Sequence, residues 1–152
     1  QTYAVVAELS LKATGQDAFR KRAVYGGEQL ARQMPSKEEP DRGRWPDVLI
    51  ATPGRLRSLI EGKRLHMSRT SYIVVDEADL LLSPGSWLEQ VQDIVRLGHR
   101  DRQLIFASAT WSEKLTSAAK ALSTGAELMR LQIYPDVPPI PQTIKLFMGK
   151  ND

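Results

Sequence analysis

The chain has 152 residues, the size of one ordinary domain. Its composition, 41% hydrophobic and 26% charged with a net charge of +3, is that of a chain that folds around a core, and it excludes a disordered tail. The absence of cysteine excludes disulfides, thiolate zinc sites and cysteine nucleophiles, and apolar runs of only four or five residues exclude a helical membrane span, which needs about 20.

Residues 1–13 carry Val5, Leu9 and Ala13 on one stripe and predict a helix, with Gly15 as its stop. No basic start followed by an apolar run marks a signal peptide, and the first residue is Gln. The chain is therefore expected to be a piece of something longer. Residues 22–25 (RAVY) predict a short strand ended by Gly26-Gly27, and residues 28–34 a short helix stopped by Pro35. The stretch 36–46, rich in proline, glycine and charge, predicts a solvated loop. VLIAT (48–52) predicts a strand buried on both faces. Thr52 suits the N-cap and Pro53 the first turn of a helix running to about Glu61, with Gly62 at its end. YIVVD (72–76) predicts a second buried strand. Ser86 and Glu89 have the spacing of a capping box for a helix to Leu97, closed by Gly98. QLIFASA (103–109) predicts another strand, and Ser112 caps a helix to about Leu122. LMRLQI (128–133) and TIKLFM (143–148) are further strand candidates, joined by a proline-rich extended connector.

Short apolar strands alternating with capped helices predict parallel βαβ units in a three-layer α/β fold. Ligands in such sheets sit at the carboxyl ends of strands, so the residues just after VLIA, YIVV and IFA are the candidate chemistry. Charge divides along the same lines. Arg55, Arg57, Lys63, Arg64 and Arg69 face only Glu61 within 49–75, whereas 76–101 hold six acids against Arg96 and Arg100. A basic stretch followed by an acidic one suits phosphate binding and metal binding respectively, although a mixed solvated surface carries the same pattern. Asp76-Glu77 at the end of an apolar strand can hold magnesium beside nucleotide phosphates and position an attacking water; a strand-ending aspartate can equally be a helix cap.

Asp76-Glu77-Ala78-Asp79, with Thr52-Pro53-Gly54-Arg55 before it and Ser108-Ala109-Thr110 after it, resembles the first RecA-like domain of the DEAD-box ATP-dependent RNA helicases, and Gly26-Gly27 falls where that family has a glycine pair. The resemblance covers the whole chain. It implies a three-layer RecA-like parallel sheet flanked by helices, of the P-loop NTPase type, truncated at its N-terminus. It implies that Asp76 acts on magnesium bound to ATP, that Glu77 is the base for the hydrolytic water, and that Asp79 hydrogen-bonds to Ser108 and Thr110. Gly26, Gly27, Thr52, Pro53, Gly54 and Arg55 are implied to bind the RNA backbone, without reading sequence. Taken alone, Gly26-Gly27 also fits a plain turn, TPGR a well-capped helix, and SAT a cap at a strand–helix turn. Trp45, Trp87 and Trp111 are candidates for stacking or for core packing, and Trp111 directly follows SAT.

The chain departs from the family in lacking a GxxxxGK(S/T) loop, the adenine-reading glutamine motif and the Pro-Thr-Arg-Glu-Leu-Ala motif. All three precede the matching motifs in the family, so residues 1–148 are expected to be a partial domain lacking the upstream P-loop unit, with 149–152 beginning the interdomain linker. The resemblance thus implies an RNA-stimulated ATPase in the intact parent, inactive as this piece alone. ATP and magnesium would be its cofactors. RNA, the second RecA-like domain and other ribonucleoprotein proteins would be its partners, with no membrane. The alternative is a non-catalytic helicase-fold component of a ribonucleoprotein assembly.

Overall fold

Among the described residues four short strands carry the fold, and all of them pair in parallel. The computed structural model describes residues 20–33, 46–83, 85–124 and 126–132. Strand β1 (Lys21–Val24) pairs with β2 (Val48–Ala51), Val24 opposite Ala51. Strand β3 (Tyr72–Val75) pairs with β4 (Gln103–Phe106), Val75 opposite Phe106. Helix α1 (Leu30–Gln33) follows β1, α2 (Pro53–Glu61) follows β2, and α3 (Ala78–Leu81) and α4 (Leu88–Leu97) lie between β3 and β4. Helix α5 (Glu113–Leu122) follows β4. Parallel neighbours need such crossover helices to return the chain to the same end of the sheet. No helix among the described residues is long and apolar enough to cross a membrane.

Two packed clusters support the strand pairs. Val24, Leu59, Leu65, Met67 and Ile94 form one; Val75, Ala78, Leu82, Val91, Val95, Leu115 and Leu122 form the other. Ile73 packs against both. Helix α2 lies on α4, where Arg57 reaches Glu61 at 2.7 Å and Asp93 at 3.7 Å. Leu59 and Val95, on these two helices, are fully enclosed. Two of the cluster members have a spacing visible in the sequence: Val91 and Val95 are four apart and share one face of α4.

Several expectations are corrected. The sheet is divided, among the described residues, into two separate pairs. Neither β2 nor β3 is buried on both faces: Val48–Ala51 are only partly buried, and Tyr72 and Val74 are exposed. Residues 128–132 form no strand, and Met129 and Leu131 stand almost wholly in solvent. Alternating apolar side chains fix a strand only where a neighbouring strand takes up the backbone hydrogen bonds, and among the described residues these have no such neighbour. The predicted capping box also fails. Ser86 lies one residue before the helix cap, and its single hydroxyl proton is shared among the carbonyls of Leu80, Leu81 and Ser83 at 2.9–3.1 Å, closing the end of α3 instead. By contrast Ser112 caps α5 as expected, accepting from the Leu115 N–H at 3.2 Å. The predicted helix over 1–13, the loop over 36–45, the connector, the strand over 143–148 and the linker over 149–152 lie outside the described residues.

Candidate functional site

In-register parallel strands end together, and this alone brings the motifs into two groups. Beyond β1 and β2 lie Gly26-Gly27 and Thr52-Pro53-Gly54-Arg55, and the Thr52 N–H donates to the Val24 carbonyl at 3.1 Å. Beyond β3 and β4 lie Asp76-Glu77-Ala78-Asp79 and Ser108-Ala109-Thr110. There the Ala107 N–H donates to Val75 and the Ala78 N–H to Ala107, both at 2.9 Å.

In the second group the Thr110 hydroxyl donates to the Asp79 carboxylate. This hydrogen bond holds the Asp79 carboxyl below its ordinary range, with a smaller contribution from the Ser108 hydroxyl. Ser108 has one hydroxyl proton, and it goes to the Thr110 carbonyl at 2.7 Å, so Thr110 is the firm partner of Asp79. Ala78, between Glu77 and Asp79, is completely buried in the core. Asp76 and Glu77 are exposed, and Asp76 accepts from the Glu77 N–H at 3.1 Å. Glu77 itself has left-handed backbone angles, φ 50° and ψ 48°. For a residue with a Cβ this conformation costs about 1–2 kcal/mol, and it sits at the turn from β3 into α3. A large cleft runs along β4, bordered by Ser108 and Trp111 on one side and Met129–Gln132 on the other. Asp76 and Glu77 do not line it.

In the first group Thr52 has extended N-cap angles, but its side chain makes no capping hydrogen bond. The start of α2 therefore keeps its N–H groups without an internal partner, as helix geometry dictates. Gly54 is in the first turn of that helix, and a Cβ there would meet Gln90 Oε1 at 3.4 Å and Trp87 at 3.6 Å, ordinary contacts. Arg55 has a structural task that its motif did not announce. Its guanidinium donates to the carbonyls of Tyr25 (3.0 Å) and Glu28 (2.7 Å), on either side of the glycine pair. Sequence reasoning missed Gln33, which is buried beside this turn and bonds both the N–H and the carbonyl of Tyr25. A lone glutamine near the end of a one-turn helix gives no sequence signal. It missed the left-handed Glu77 for a similar reason, since glutamate has no preference for that conformation.

Parallel strands joined by crossover helices, with a carboxylate–hydroxyl link between two adjacent strand ends, define a RecA-like α/β domain. The chain belongs to the DEAD/DEAH box helicase family, whose model matches residues 2–118. Among curated relatives it is similar to DEAD-box ATP-dependent RNA helicase 30 of Oryza sativa subsp. japonica, at 37% identity over 66% of this chain and 14% of the relative. It is also similar to ATP-dependent RNA helicase DBP2 of Scheffersomyces stipitis, at 36% identity over 67% of this chain and 18% of the relative. Among solved structures, a hypothetical ATP-dependent RNA helicase from Sulfolobus tokodaii superposes with a TM-score of 0.63 at 26% identity, over 83% of this chain and 36% of that one. S. cerevisiae Dbp5 bound to RNA and ADP BeF3 gives a TM-score of 0.63 at 21% identity, over 86% of this chain and 31% of that one, a likeness of fold. The chain thus spans less than a fifth of the length of these two curated relatives.

Proposed function

We propose that residues 1–148 are part of the first RecA-like domain of a DEAD-box ATP-dependent RNA helicase, a protein that couples ATP hydrolysis to clamping and remodelling of RNA duplexes. The observation that carries the reading is the Asp79–Thr110 hydrogen bond, which ties the DEAD and SAT motifs together at neighbouring strand ends. Related structures support the choice of ligand: Dbp5 was solved with RNA and ADP BeF3, and Mss116p with ssRNA and AMP-PNP.

Magnesium fits the residues present. Among the described residues no group of three or more acidic or histidine side chains could cage a metal alone. Magnesium does not need one, because it keeps several waters and takes one or two carboxylates together with nucleotide phosphates. Asp76, exposed just beyond β3, would hold it, and the bound ion would neutralise charge on the phosphates of ATP. Glu77 is the base of this scheme: its exposed carboxylate takes the proton of the attacking water. Asp79 transmits. An ionised carboxylate is an acceptor only, so it binds the Thr110 hydroxyl in one orientation, and a shift at the β3 end moves the β4 end with it. On the other strand pair, Gly26, Gly27, Thr52, Pro53 and Gly54 present backbone to RNA phosphates. Arg55 holds the glycine turn through the Tyr25 and Glu28 carbonyls and keeps further N–H donors for a phosphate. The second RecA-like domain completes both sites.

The test is the ATPase of the full-length protein. RNA stimulates it, and Glu77→Gln lowers kcat by about 10²–10⁴ while RNA binding persists. An unchanged kcat in Glu77→Gln refutes the assignment of the base. A wild-type protein that binds RNA with no turnover supports the non-catalytic alternative instead.

A further inference from the structure

The turn between β1 and α1 is held from two sides, and the two glycines between the holding points are left open. Gln33 is only 6% exposed, yet it is a large polar residue. Its Oε1 accepts from the Tyr25 N–H at 3.0 Å, and its Nε2 donates to the Tyr25 carbonyl at 3.0 Å. Both backbone groups of the residue just past β1 are thus satisfied by one side chain, as a neighbouring strand would satisfy them. Arg55 adds a second donor to the same carbonyl at 3.0 Å, using its other lone pair, and a further hydrogen bond to Glu28 at 2.7 Å. Arg22 in turn donates to the Gln33 carbonyl at 3.3 Å. Among the described residues neither the Gly26 nor the Gly27 N–H has a partner, and nothing lies within 4 Å of where a Cβ would stand on either. Gly27 has φ +83°, a conformation other residues rarely adopt.

We propose that Gln33 is a positioning residue: its buried amide fixes Tyr25, and with Arg55 it holds the Gly26-Gly27 turn in a set shape with both N–H groups free for a phosphate of the RNA backbone. The inference rests on the functional reading above. The energetic logic is preorganisation. A turn ordered before binding loses less entropy when the ligand arrives, so its order appears as affinity. Only an uncharged amide of this length offers the donor and the acceptor together.

The test uses the full-length protein with Gln33→Met, which fills the same buried space without hydrogen-bonding groups, and Gln33→Glu, which keeps the acceptor but removes the donor. Two readings are taken: amide hydrogen exchange at Gly26, Gly27 and Glu28 without RNA, and the RNA dependence of the ATPase. Both variants should speed exchange at the turn by about tenfold and raise the RNA concentration for half-maximal ATPase by about five- to tenfold, with kcat at saturating RNA retained. Unchanged exchange overturns the proposal, because Gln33 then does not hold the turn. Faster exchange with an unchanged RNA requirement overturns it as well, because the order of the turn is then not used. A parallel fall in kcat and melting temperature assigns Gln33 a purely structural role. A wild-type ATPase indifferent to RNA refutes the functional reading instead, and the exchange measurement still decides whether Gln33 sets the turn.

Discussion

The left-handed backbone at Glu77 makes a prediction that separates chemistry from stability. Glu77 has φ 50° and ψ 48°, is exposed, and makes no side-chain hydrogen bond at the head of α3. Its side chain therefore contributes little to the fold, while its Cβ costs about 1–2 kcal/mol in this conformation. Replacing Glu77 by glycine removes that cost and adds about 0.5–1 kcal/mol of lost chain freedom on folding. The expected net is a gain near 1 kcal/mol. Glu77→Gln is the right reference, since both variants lose the carboxylate and only glycine relieves the backbone. The assay is native-state hydrogen exchange at the Ala78 and Ala107 amides, which donate to Ala107 and Val75 across the strand ends. It reads the opening free energy of this region whatever the rest of the protein does. Exchange should be about fivefold slower in Glu77→Gly than in Glu77→Gln, with RNA-stimulated ATPase lost in both. Equal or faster exchange in the glycine variant refutes the storage of strain at the turn proposed to be catalytic.

Further expectations concern the glycine turn, the core and pH. Gly27→Ala, at φ +83°, should destabilise by about 1 kcal/mol, whereas Gly26→Ala, with open space at its Cβ, should leave stability unchanged and weaken only RNA binding; urea unfolding and RNA titration measure the two. Ala78→Val places two methyl groups in a fully packed position and should cost about 1–3 kcal/mol by exchange at Ala107, although Ala78 is itself part of the DEAD motif. Leu59→Ala, at the fully buried centre of α2, should cost about 2–5 kcal/mol in the same measurement made on β1 and β2. Asp79 titrates below its ordinary value of 3.8 because it accepts from Thr110, so this link stabilises the fold above that value and is lost as pH falls through the lowered one. Carboxyl NMR should show the Asp79 midpoint rising toward 3.8 in Thr110→Val, and a midpoint that does not move removes the hydrogen bond as the cause.

What was legible in the sequence follows from how local each cause is. Pro53, Ser112 and the apolar runs act on their own neighbourhoods, and the helices Pro53–Glu61 and Glu113–Leu122 and the four strands fall where those residues predict. The helix expected from Ser86 starts two residues beyond it, because a serine hydroxyl bonds whichever groups lie nearest, and the carbonyls of Leu80 and Leu81 at the end of α3 and of Ser83 just after it lie beside it. The motifs located the strand ends correctly, and parallel register did the rest: Val24 opposite Ala51, and Val75 opposite Phe106, bring each pair of motifs together. Individual roles were less legible. Arg55 reads as a phosphate contact in a one-dimensional motif, and only the fold adds that two of its N–H groups hold the carbonyls of Tyr25 and Glu28. Gln33 has no motif at all, and its significance exists only through the end of β1 folding back against it. The residues proposed to touch a ligand lie in short strings, whereas those that hold such strings in shape come from elsewhere in the chain and become visible only in three dimensions. Substitutions at Gln33 and at Gly26 should therefore both lower RNA affinity, but only those at Gln33 should also loosen the turn in the absence of RNA.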